Sequence, residues 1–364
     1  MKKINVIGLM TGTSCDGMDL CLIECYLSDG IPIGKIIKTK YVKYSEDFSK
    51  SLLKLNISPI KSIAQSHMDL GKLWSIEINN WVKKNKFKVD LIGIHGQTIF
   101  HNGQKSSIQI GEPLYISKVL KIPVIYNFRI KDIINKGEGA PLMPIVDNWI
   151  FKNTKENIIT LNIGGISNIS ILNQNKNILG FDTGPGMSLS DLYCLRFLSQ
   201  NFDINGNLSS KGNVDTNLVK KWICNEKFIL ANPPKSADKE LFGYKWIEKN
   251  INDYNSHENN LANLAYFTSL CISLNIKANN QAKDTTIYVS GGGINNKSIM
   301  KNLSELLPEY NILSIAEKGI DPKYKEAYAF ALLAASNYFN VAINAKYITG
   351  AVEPYIIGET ALWR

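Results

Sequence analysis

The chain has 364 residues, a formal net charge of +9 and a hydrophobic fraction of 45%. This length exceeds the size at which single hydrophobic cores stop growing, so we expect two domains. No apolar run approaches the ~20 residues of a membrane-spanning helix, so we expect no membrane partner. The lysines are scattered and no nucleic-acid motif occurs, so we expect no nucleic-acid partner and a basic surface that favours anionic small molecules.

The cysteines indicate a compartment. Six are present, with no CxxC spacing and no zinc-type pairing with the four histidines. Scattered cysteines in a chain of this size fit a reducing environment, so we expect a cytoplasmic protein. The alternative is export, but the first apolar run is short and is followed by polar residues, which a signal peptide does not tolerate.

Predicted strands and helices alternate along the chain, which indicates an α/β fold. In chain order, the apolar patterns predict strands at 4–9 and 18–24, a helix at 59–84, strands at 91–94, 122–126, 157–163 and 166–172, helices at 187–200 and 260–279, a strand at 286–290, and helices at 295–307 and 324–339. The first and third strand pairs share one pattern, in which an apolar strand, a turn of small residues and a returning strand follow one another. Their separation by about half the chain predicts two related α/β halves.

Three glycine turns follow predicted strands, at Gly12 to Gly17, at Gly164-Gly165 and at Gly291-Gly292-Gly293. A backbone without Cβ atoms can approach a ligand closely, and consecutive N–H groups in such a turn bind anions. The turns therefore predict nucleotide binding, with tight hairpins of no further function as the alternative. The Rossmann fingerprint, the Walker motif and the protein-kinase motifs are all missing from the sequence.

The first turn carries the most chemistry. Its candidate nucleotide-binding residues are Gly12, Thr13, Ser14, Cys15, Asp16, Gly17, Met18 and Asp19. Threonine and serine hydroxyls donate hydrogen bonds, and Asp16 or Asp19 can hold a magnesium ion, most simply through water, because this ion gives up its water reluctantly.

The second candidate site is the segment DTGPG, which begins with Asp182. An aspartate with an unperturbed pKa of ~3.9 is ionised at neutral pH and can act as a general base. The alternative is a helix cap or a turn-stabilising carboxylate.

Weaker candidates are His95, Gln97, Arg129 and Glu326, and three of them have a structural alternative. His95 can be a core histidine, Arg129 can form a surface ion pair with Asp132, and Glu326 can cap the last long helix.

Taken together, these segments resemble the anhydro-N-acetylmuramic acid kinase family. The resemblance runs almost from end to end and is carried by GLMTGTSCDGMD, HGQT, GEGAPLMP, NIGGISN, DTGPG, PPKSADKELF, GGGINN and EAYAFALLA. It implies an actin-like fold of two ribonuclease-H-like domains around a central cleft. We expect the first domain at residues 1–128 with about 341–364, and the second at 129–340.

The resemblance also implies a reaction. ATP and Mg²⁺ would bind in the cleft, and a homodimer would form. Asp182 would activate water to open the 1,6-anhydro ring of 1,6-anhydro-N-acetylmuramic acid, and the liberated O6 would take the γ-phosphate, giving N-acetylmuramic acid 6-phosphate and ADP. Arg129 would pair with the lactyl carboxylate, while His95, Gln97 and Glu326 would line the sugar site.

The sequence departs from the family pattern at several positions. Met187 stands where asparagine is usual, Ala237-Asp238 replace Thr-Gly, and Asp147 falls where histidine is common. Two other functions therefore stay open. One is a levoglucosan-type anhydrosugar kinase. The other is a non-enzymatic actin-like nucleotide-switching scaffold, against which the segments DTGPG and PPKS argue.

Overall fold

The computed structural model describes residues 2–12, 14–172, 178–237, 241–251 and 255–364. The chain forms two compact units, the first from residues 1–152 and 324–364 and the second from residues 153–323. Each unit is built on its own β-sheet.

The strands are, in chain order, β1 (Ile4–Met10), β2 (Gly17–Ser28), β3 (Ile31–Lys43), β4 (Leu91–Ile94), β5 (Gln97–Asn102), β6 (Ser106–Ile110), β7 (Val124–Tyr126), β8 (Asn157–Ile163), β9 (Ile166–Leu172), β10 (Leu179–Pro185), β11 (Thr285–Ser290), β12 (Asn311–Ser314) and β13 (Glu359–Ala361). The helices are α1 (Glu46–Leu53), α2 (Ile60–Asn85), α3 (Pro113–Leu120), α4 (Ile130–Ile134), α5 (Met143–Phe151), α6 (Ser188–Leu198), α7 (Thr216–Asn225), α8 (Lys227–Leu230), α9 (Tyr244–Asn250), α10 (His257–Asn279), α11 (Lys297–Leu306) and α12 (Lys325–Tyr338).

The two sheets repeat one topology. In the first unit the strand order is β13-β7-β4-β1-β2-β3, and in the second it is β10-β9-β8-β11-β12. In both, three consecutive strands form an antiparallel meander, and two further strands extend the sheet in parallel from the first strand of that meander. The chain therefore has a duplicated, actin-like α/β fold, as the repeated hairpin pattern predicts, with β13 added only to the first sheet.

Helix α12 packs against the first sheet at unusually short range. A Cβ atom on Gly8 of β1 would lie 1.9 Å from the carbonyl oxygen of Ala327, and one on Gly93 of β4 would lie 2.5 Å from that of Phe330. The helix runs antiparallel to β1, because Tyr338 at its end contacts Lys2, which lies just before that strand. Its first turn therefore lies at the carboxyl end of β1, where the first glycine turn begins.

The second unit buries two apolar clusters. One lies along β8, β9 and β11 with α10 and α11. The other cluster is formed by side chains of α6, α7, α9 and α10. It contains the rings of Trp222, Trp246 and Phe267, which pack on one another. Because α10 contributes to both clusters, it is buried along most of its length and shows no single polar face.

The unit boundaries differ from the expected ones. Residues 129–152 and 324–340 belong to the first unit, although we expected them in the second domain. The reason is tertiary packing, since α5 packs on β3 and α12 packs on the first sheet. Nothing in the local sequence of these helices says which sheet they cover.

Several predicted elements coincide with observed ones, including β4, β8 and β9, and the predicted helix at 187–200 is observed as the shorter α6. Strand β3 lies outside the predicted strands, because its exposed edge position leaves only a weak apolar alternation among lysines. Among the described residues, no helix has both the length and the hydropathy needed to span a bilayer.

Candidate active site

The first glycine turn joins β1 to β2. The N–H of Cys15 donates to the carbonyl of Gly12 at 3.2 Å. Gly17 is required by packing, since a Cβ there would lie 2.4 Å from the carbonyl oxygen of Val42. Gly12 is not required by packing, because among the described residues beyond its chain neighbours its Cβ would meet only the Ser14 hydroxyl, at 3.5 Å. Thr13 lies outside the described residues.

Two candidates in this turn point into the protein. The side chains of Cys15 and Met18 are buried in the core of the first unit. Only their backbone atoms can therefore contact a ligand at the turn.

The turn's carboxylates are held by neighbouring hydroxyl groups. Asp16 is exposed and accepts hydrogen bonds from the hydroxyls of Ser14 and Tyr41, the latter at 3.1 Å. Burial and then the charge of Asp16 raise the pKa of Tyr41, so this phenol stays protonated and acts as a donor. Asp19 is half-buried on β2 and faces Met10 across the hairpin.

These two acids suit a magnesium ion that is held largely by other ligands. In the described parts of the chain, no group of three or more His, Cys, Asp or Glu side chains is placed to hold a metal. Magnesium usually keeps several waters and takes one or two carboxylates together with substrate phosphates. Asp16 and Asp19 fit that pattern.

Gln97 anchors the start of the turn. Its side chain is buried, and its Oε1 accepts from the hydroxyl of Thr11 at 2.5 Å while its Nε2 donates to the carbonyl of Gly12 at 3.1 Å. Because both ends of the amide are engaged, the glutamine fixes the path of the backbone at Gly12.

His95 and Arg129 form a connected pair at the carboxyl end of the first sheet. Arg129 donates from Nε to the Nε2 of His95 at 3.1 Å, and from a terminal nitrogen to the carbonyl of Gly139 at 2.8 Å. The Nδ1 of His95 lies 3.0 Å from the carbonyl of Gly96, so it carries the ring proton. Burial, and then the nearby Arg129, lower the pKa of His95 well below its usual value, which keeps the ring neutral.

Asp132 does not provide the surface ion pair considered as the alternative for Arg129. It is fully buried, and it accepts hydrogen bonds from the hydroxyls of Thr349 and Tyr355 and from the N–H of Gly139. It therefore holds the Gly139 loop, whose carbonyl in turn orients the guanidinium group of Arg129.

Glu326 lies in the first turn of α12 and is half-buried. The preceding residue, Lys325, forms a buried ion pair with Asp147 of α5, with Nζ and Oδ1 2.8 Å apart. Both side chains are less than 5% exposed. This pair, together with the close packing at Gly8, fixes where the helix begins and hence where Glu326 lies.

A cavity of about 620 Å³ opens where β4 and β7 end. It is bordered by His95 and Asn127 and also by His67 and Glu112, whose side chains are paired at 3.1 Å. His95 thus has a packed side, against the ring of Phe330 at 4.5 Å between centroids, and a side that borders open space.

The second glycine turn joins β8 to β9 and supports the start of α6. The carbonyl of Gly164 accepts from the N–H of Met187 at 2.7 Å, and the carbonyl of Gly165 accepts from the N–H groups of Gly186 and Ser188. A Cβ on Gly186 would lie 2.2 Å from the Gly164 oxygen, so this approach requires glycine. For a Cβ on Gly164 itself, the nearest atom in the described part of the chain, chain neighbours aside, is the carbonyl oxygen of Ile166 at 3.5 Å.

Met187 occupies the N-cap position of α6 and packs against the core of the second sheet. The helix begins without a side-chain cap, because the carbonyls of the glycine turn receive the backbone N–H groups around it. Replacing the usual asparagine with methionine therefore leaves this turn intact.

Asp182 lies within β10, at a bulge between Asp182 and Gly184. Its Oδ2 accepts from the N–H of Ala237 at 2.8 Å, and its own N–H donates to the carbonyl of Lys235 at 3.1 Å. The side chain is half-buried. Since Met187 is the N-cap of α6, Asp182 does not cap that helix; it is a carboxylate held by the loop at 235–237.

The third glycine turn follows β11. Gly291 has φ +85° and would place a Cβ 2.6 Å from the carbonyl of Ile163, while a Cβ on Gly293 would lie 2.2 Å from the Ile163 side chain. Gly292, between them, has no atom of the described residues within 4 Å of its Cβ position, apart from its chain neighbours. Two of these glycines are therefore required by packing on β8, and the middle one is not.

Sequence reasoning alone misses several residues that hold these groups in place within each unit, namely Tyr41, Asp132 as a loop anchor, Lys235 and the pair of Asp147 with Lys325. Asp147 does carry a signal, as it departs from the family pattern. Its partner could not be found, because the two residues lie far apart in the chain and meet only through packing of α5 on α12.

Comparisons with known proteins identify the family. The family model described as anhydro-N-acetylmuramic acid kinase matches residues 4–362. A protein named anhydro-N-acetylmuramic acid kinase from Pseudomonas fluorescens (strain Pf0-1) is 34% identical over 97% of this chain and 98% of its own length. A relative of the same name from Shewanella baltica (strain OS223) is 34% identical over 98% of each chain.

Among solved structures, an activator of the 2-hydroxyisocaproyl-CoA dehydratase from Clostridium difficile aligns with a TM-score of 0.44 and 12% identity, over 94% of this chain and 99% of that chain. The match to the family model and the two curated relatives cover almost every residue that forms the sites described above. The chain belongs to the anhydro-N-acetylmuramic acid kinase family.

Proposed function

We propose that this chain uses ATP to open the 1,6-anhydro ring of 1,6-anhydro-N-acetylmuramic acid and to phosphorylate O6, giving N-acetylmuramic acid 6-phosphate and ADP. Membership of the family supports the overall reaction. The observation that carries the mechanism is Asp182, a half-buried carboxylate with one oxygen bonded to the loop N–H of Ala237.

In this proposal Asp182 is the general base. It takes a proton from water, whose oxygen attacks the anomeric carbon while the bond from that carbon to O6 breaks. The electron pair released onto O6 attacks the γ-phosphorus, and the bond to the β-γ bridging oxygen breaks to release ADP. No separate acid is needed, because the leaving oxygen transfers its developing charge to phosphorus.

The nucleotide would be bound by the glycine turns. Within the three turns, Gly12, Gly164 and Gly292 are positions where the surrounding described residues leave room for a side chain, although the sequence has none. A ligand that approaches the backbone closely supplies a reason for glycine at these positions. We assign the turns at 12–19 and 164–165 to phosphate groups and the turn at 291–293 to the nucleoside.

Magnesium would be held beside the first turn by Asp16 and Asp19 through water. When bound, the ion neutralises charge on the phosphate oxygens during transfer. Ser14 and Tyr41 keep the Asp16 carboxylate in place through their hydroxyl groups.

The sugar would be recognised largely by the first unit. The Arg129 guanidinium, oriented by His95 and Gly139, suits a bidentate pair with the lactyl carboxylate. Because His95 is neutral, it adds no second charge there. Glu326 would accept from sugar hydroxyls, and Gln97 would act by holding Gly12.

A kinase assay with the purified anhydrosugar, read by product mass and by ADP release, tests the proposal. We expect Asp182→Asn to lower kcat by about 10³-fold, because general-base catalysis is worth roughly 10²–10⁴. Affinity for ADP should stay unchanged in calorimetry. Asp284→Asn, a change at an exposed aspartate of the same unit, is the matched control and should keep the parent rate.

An Asp182→Asn variant with the parent kcat would refute the assigned base. Levoglucosan, which lacks the lactyl group, distinguishes the two kinases, because a levoglucosan-type enzyme should phosphorylate it in preference to the muramic sugar. Arg129→Ala should weaken binding of the muramic sugar alone, and equal losses for both sugars would contradict the carboxylate assignment.

We also propose a cytoplasmic homodimer. The cysteines support the compartment, because all six lie among the described residues and none forms a disulfide bond. Light scattering after size exclusion should give twice the chain mass of 40.7 kDa, and a monomer at micromolar concentration would contradict the dimer.

A further inference from the structure

The segment PPKS supplies a half-buried lysine next to the proposed base. Lys235 donates from Nζ to the carbonyl oxygens of Phe228 at 3.0 Å and Ile229 at 2.8 Å, which lie at the end of α8. The ammonium group also lies over two aromatic rings, 5.6 Å from the centroid of Phe181 and 5.0 Å from that of Phe228. The side chain thus ties its own loop to α8 and to the strand residue that precedes Asp182.

The backbone of the same loop holds Asp182 from both sides. The carbonyl of Lys235 accepts from the N–H of Asp182, and the N–H of Ala237 donates to the carboxylate. Any shift of this loop would therefore move the carboxylate oxygen that Ala237 fixes. A loop has many conformations, and the contacts of the Lys235 ammonium group select the one that places both backbone groups correctly.

The ammonium group also acts on Asp182 through charge. Burial lowers the pKa of Lys235 to about 8, against the opposing influence of Cys271 and Asp182. At neutral pH the lysine is therefore still mostly protonated. A cation near a carboxylate favours the ionised form, which is the form that a general base needs.

We propose that Lys235 is a positioning residue for Asp182, fixing the loop at 235–237 around the carboxylate and supplying a positive charge near it. This inference rests on the proposed role of Asp182. It gives the lysine of the PPKS segment a function in turnover, separate from nucleotide or sugar binding.

The test is Lys235→Met, which keeps an apolar stem over the two rings and removes the ammonium group. We expect kcat to fall 10- to 100-fold, since misplacing a catalytic group by about 1 Å can cost about 10²-fold. The KM values for sugar and ATP should change less than threefold. The acid limb of the kcat profile should move to higher pH, because removal of a nearby cation raises the pKa of a carboxylate.

Lys235→Gln is the second variant, because the glutamine amide can still donate a hydrogen bond to a carbonyl oxygen, which methionine cannot. It should recover part of the rate while keeping the shifted acid limb. Lys227→Met, at an exposed lysine eight residues earlier, is the matched control and should leave both the rate and the profile unchanged.

A role limited to folding would lower the melting temperature of both Lys235 variants and leave the acid limb of their remaining activity in place, which would overturn the proposal. A parent rate and profile in both variants would overturn it as well. The Asp182→Asn variant is measured in the same assay. If it has lost turnover, either of these two results counts against the role of Lys235 alone. If it is active, the proposed function itself fails.

Discussion

The two units share a sheet topology but bury different kinds of polar group. The first unit buries charges in pairs and networks, including Asp147 with Lys325 and the Asp132 carboxylate bound by two hydroxyls. The second unit buries mostly neutral polar groups around its glycine turns, such as the hydroxyl pair of Ser167 and Thr183 at 2.6 Å.

This difference agrees with the roles proposed for the two units. The first unit orients charged groups such as Arg129 and Glu326, and buried charged partners hold the elements that carry them. The second unit presents one carboxylate, Asp182, from a backbone-built loop. A duplicated fold can thus give each copy a different task without changing its strand order.

The largest effect should come from breaking the buried ion pair of the first unit. We expect Asp147→Asn to destabilise the protein by about 3–5 kcal/mol, because the buried Lys325 charge is left without its partner. Urea unfolding measures this.

The double variant Asp147→Leu with Lys325→Met removes both charges and should recover most of the loss. Glu248→Gln in the second unit breaks the exposed pair with Arg196 and should change stability by less than about 1 kcal/mol. Equal effects at the two pairs would remove the contrast between the units.

The close backbone contacts should come next. Gly8→Ala in the first unit and Gly186→Ala in the second place a Cβ within 2.2 Å of a carbonyl oxygen, and overpacking of this kind costs about 1–3 kcal/mol. Thermal melting should show a loss in both variants. Unchanged melting of either would mean that the backbone relaxes there at little cost.

The glycines that packing does not require should behave differently. Gly292→Ala has open space at its Cβ position, so we expect unchanged melting. Nucleotide affinity should fall about tenfold, or about 1.4 kcal/mol, if the nucleoside lies against this backbone. Calorimetry with ADP measures the effect. Gly319→Ala lies in a turn outside the proposed site; its φ of +73° strains an alanine and should lower melting, but the affinity should stay unchanged. Full affinity in Gly292→Ala would remove the nucleoside from this turn.

The two units should also differ in two pH dependences of opposite sign. His95 has a lowered pKa when folded, so the unfolded chain binds its proton first and stability falls as the pH drops below about 6.5. Burial, and then the charge of Asp203, raise the pKa of Asp191 to about 7, so this group stabilises the folded state at low pH and that contribution is lost as the pH rises from about 4 to 7.

Each slope should be at most about 1.4 kcal/mol per pH unit. His95→Gln should remove the first slope and Asp191→Asn the second, as followed by urea unfolding between about pH 4 and 8. If either variant keeps the parent slope, the titrating group in that unit lies elsewhere.

The sequence alone determined the duplicated hairpins, the three glycine turns and the candidate status of Asp182. These features are local, since each depends on an apolar strand pattern interrupted by residues with special backbone or charge properties. The strand predictions at 157–163 and 166–172 coincide with β8 and β9 for this reason.

Only the tertiary structure decided which glycines are free of steric demands, which partners hold His95, Arg129 and Asp182, and which sheet α5 and α12 cover. These answers depend on contacts between residues far apart in the chain, such as Lys325 with Asp147. The sequence does not show whether a glycine or a carboxylate is surrounded by packed atoms or by open space, because only folding brings its neighbours together.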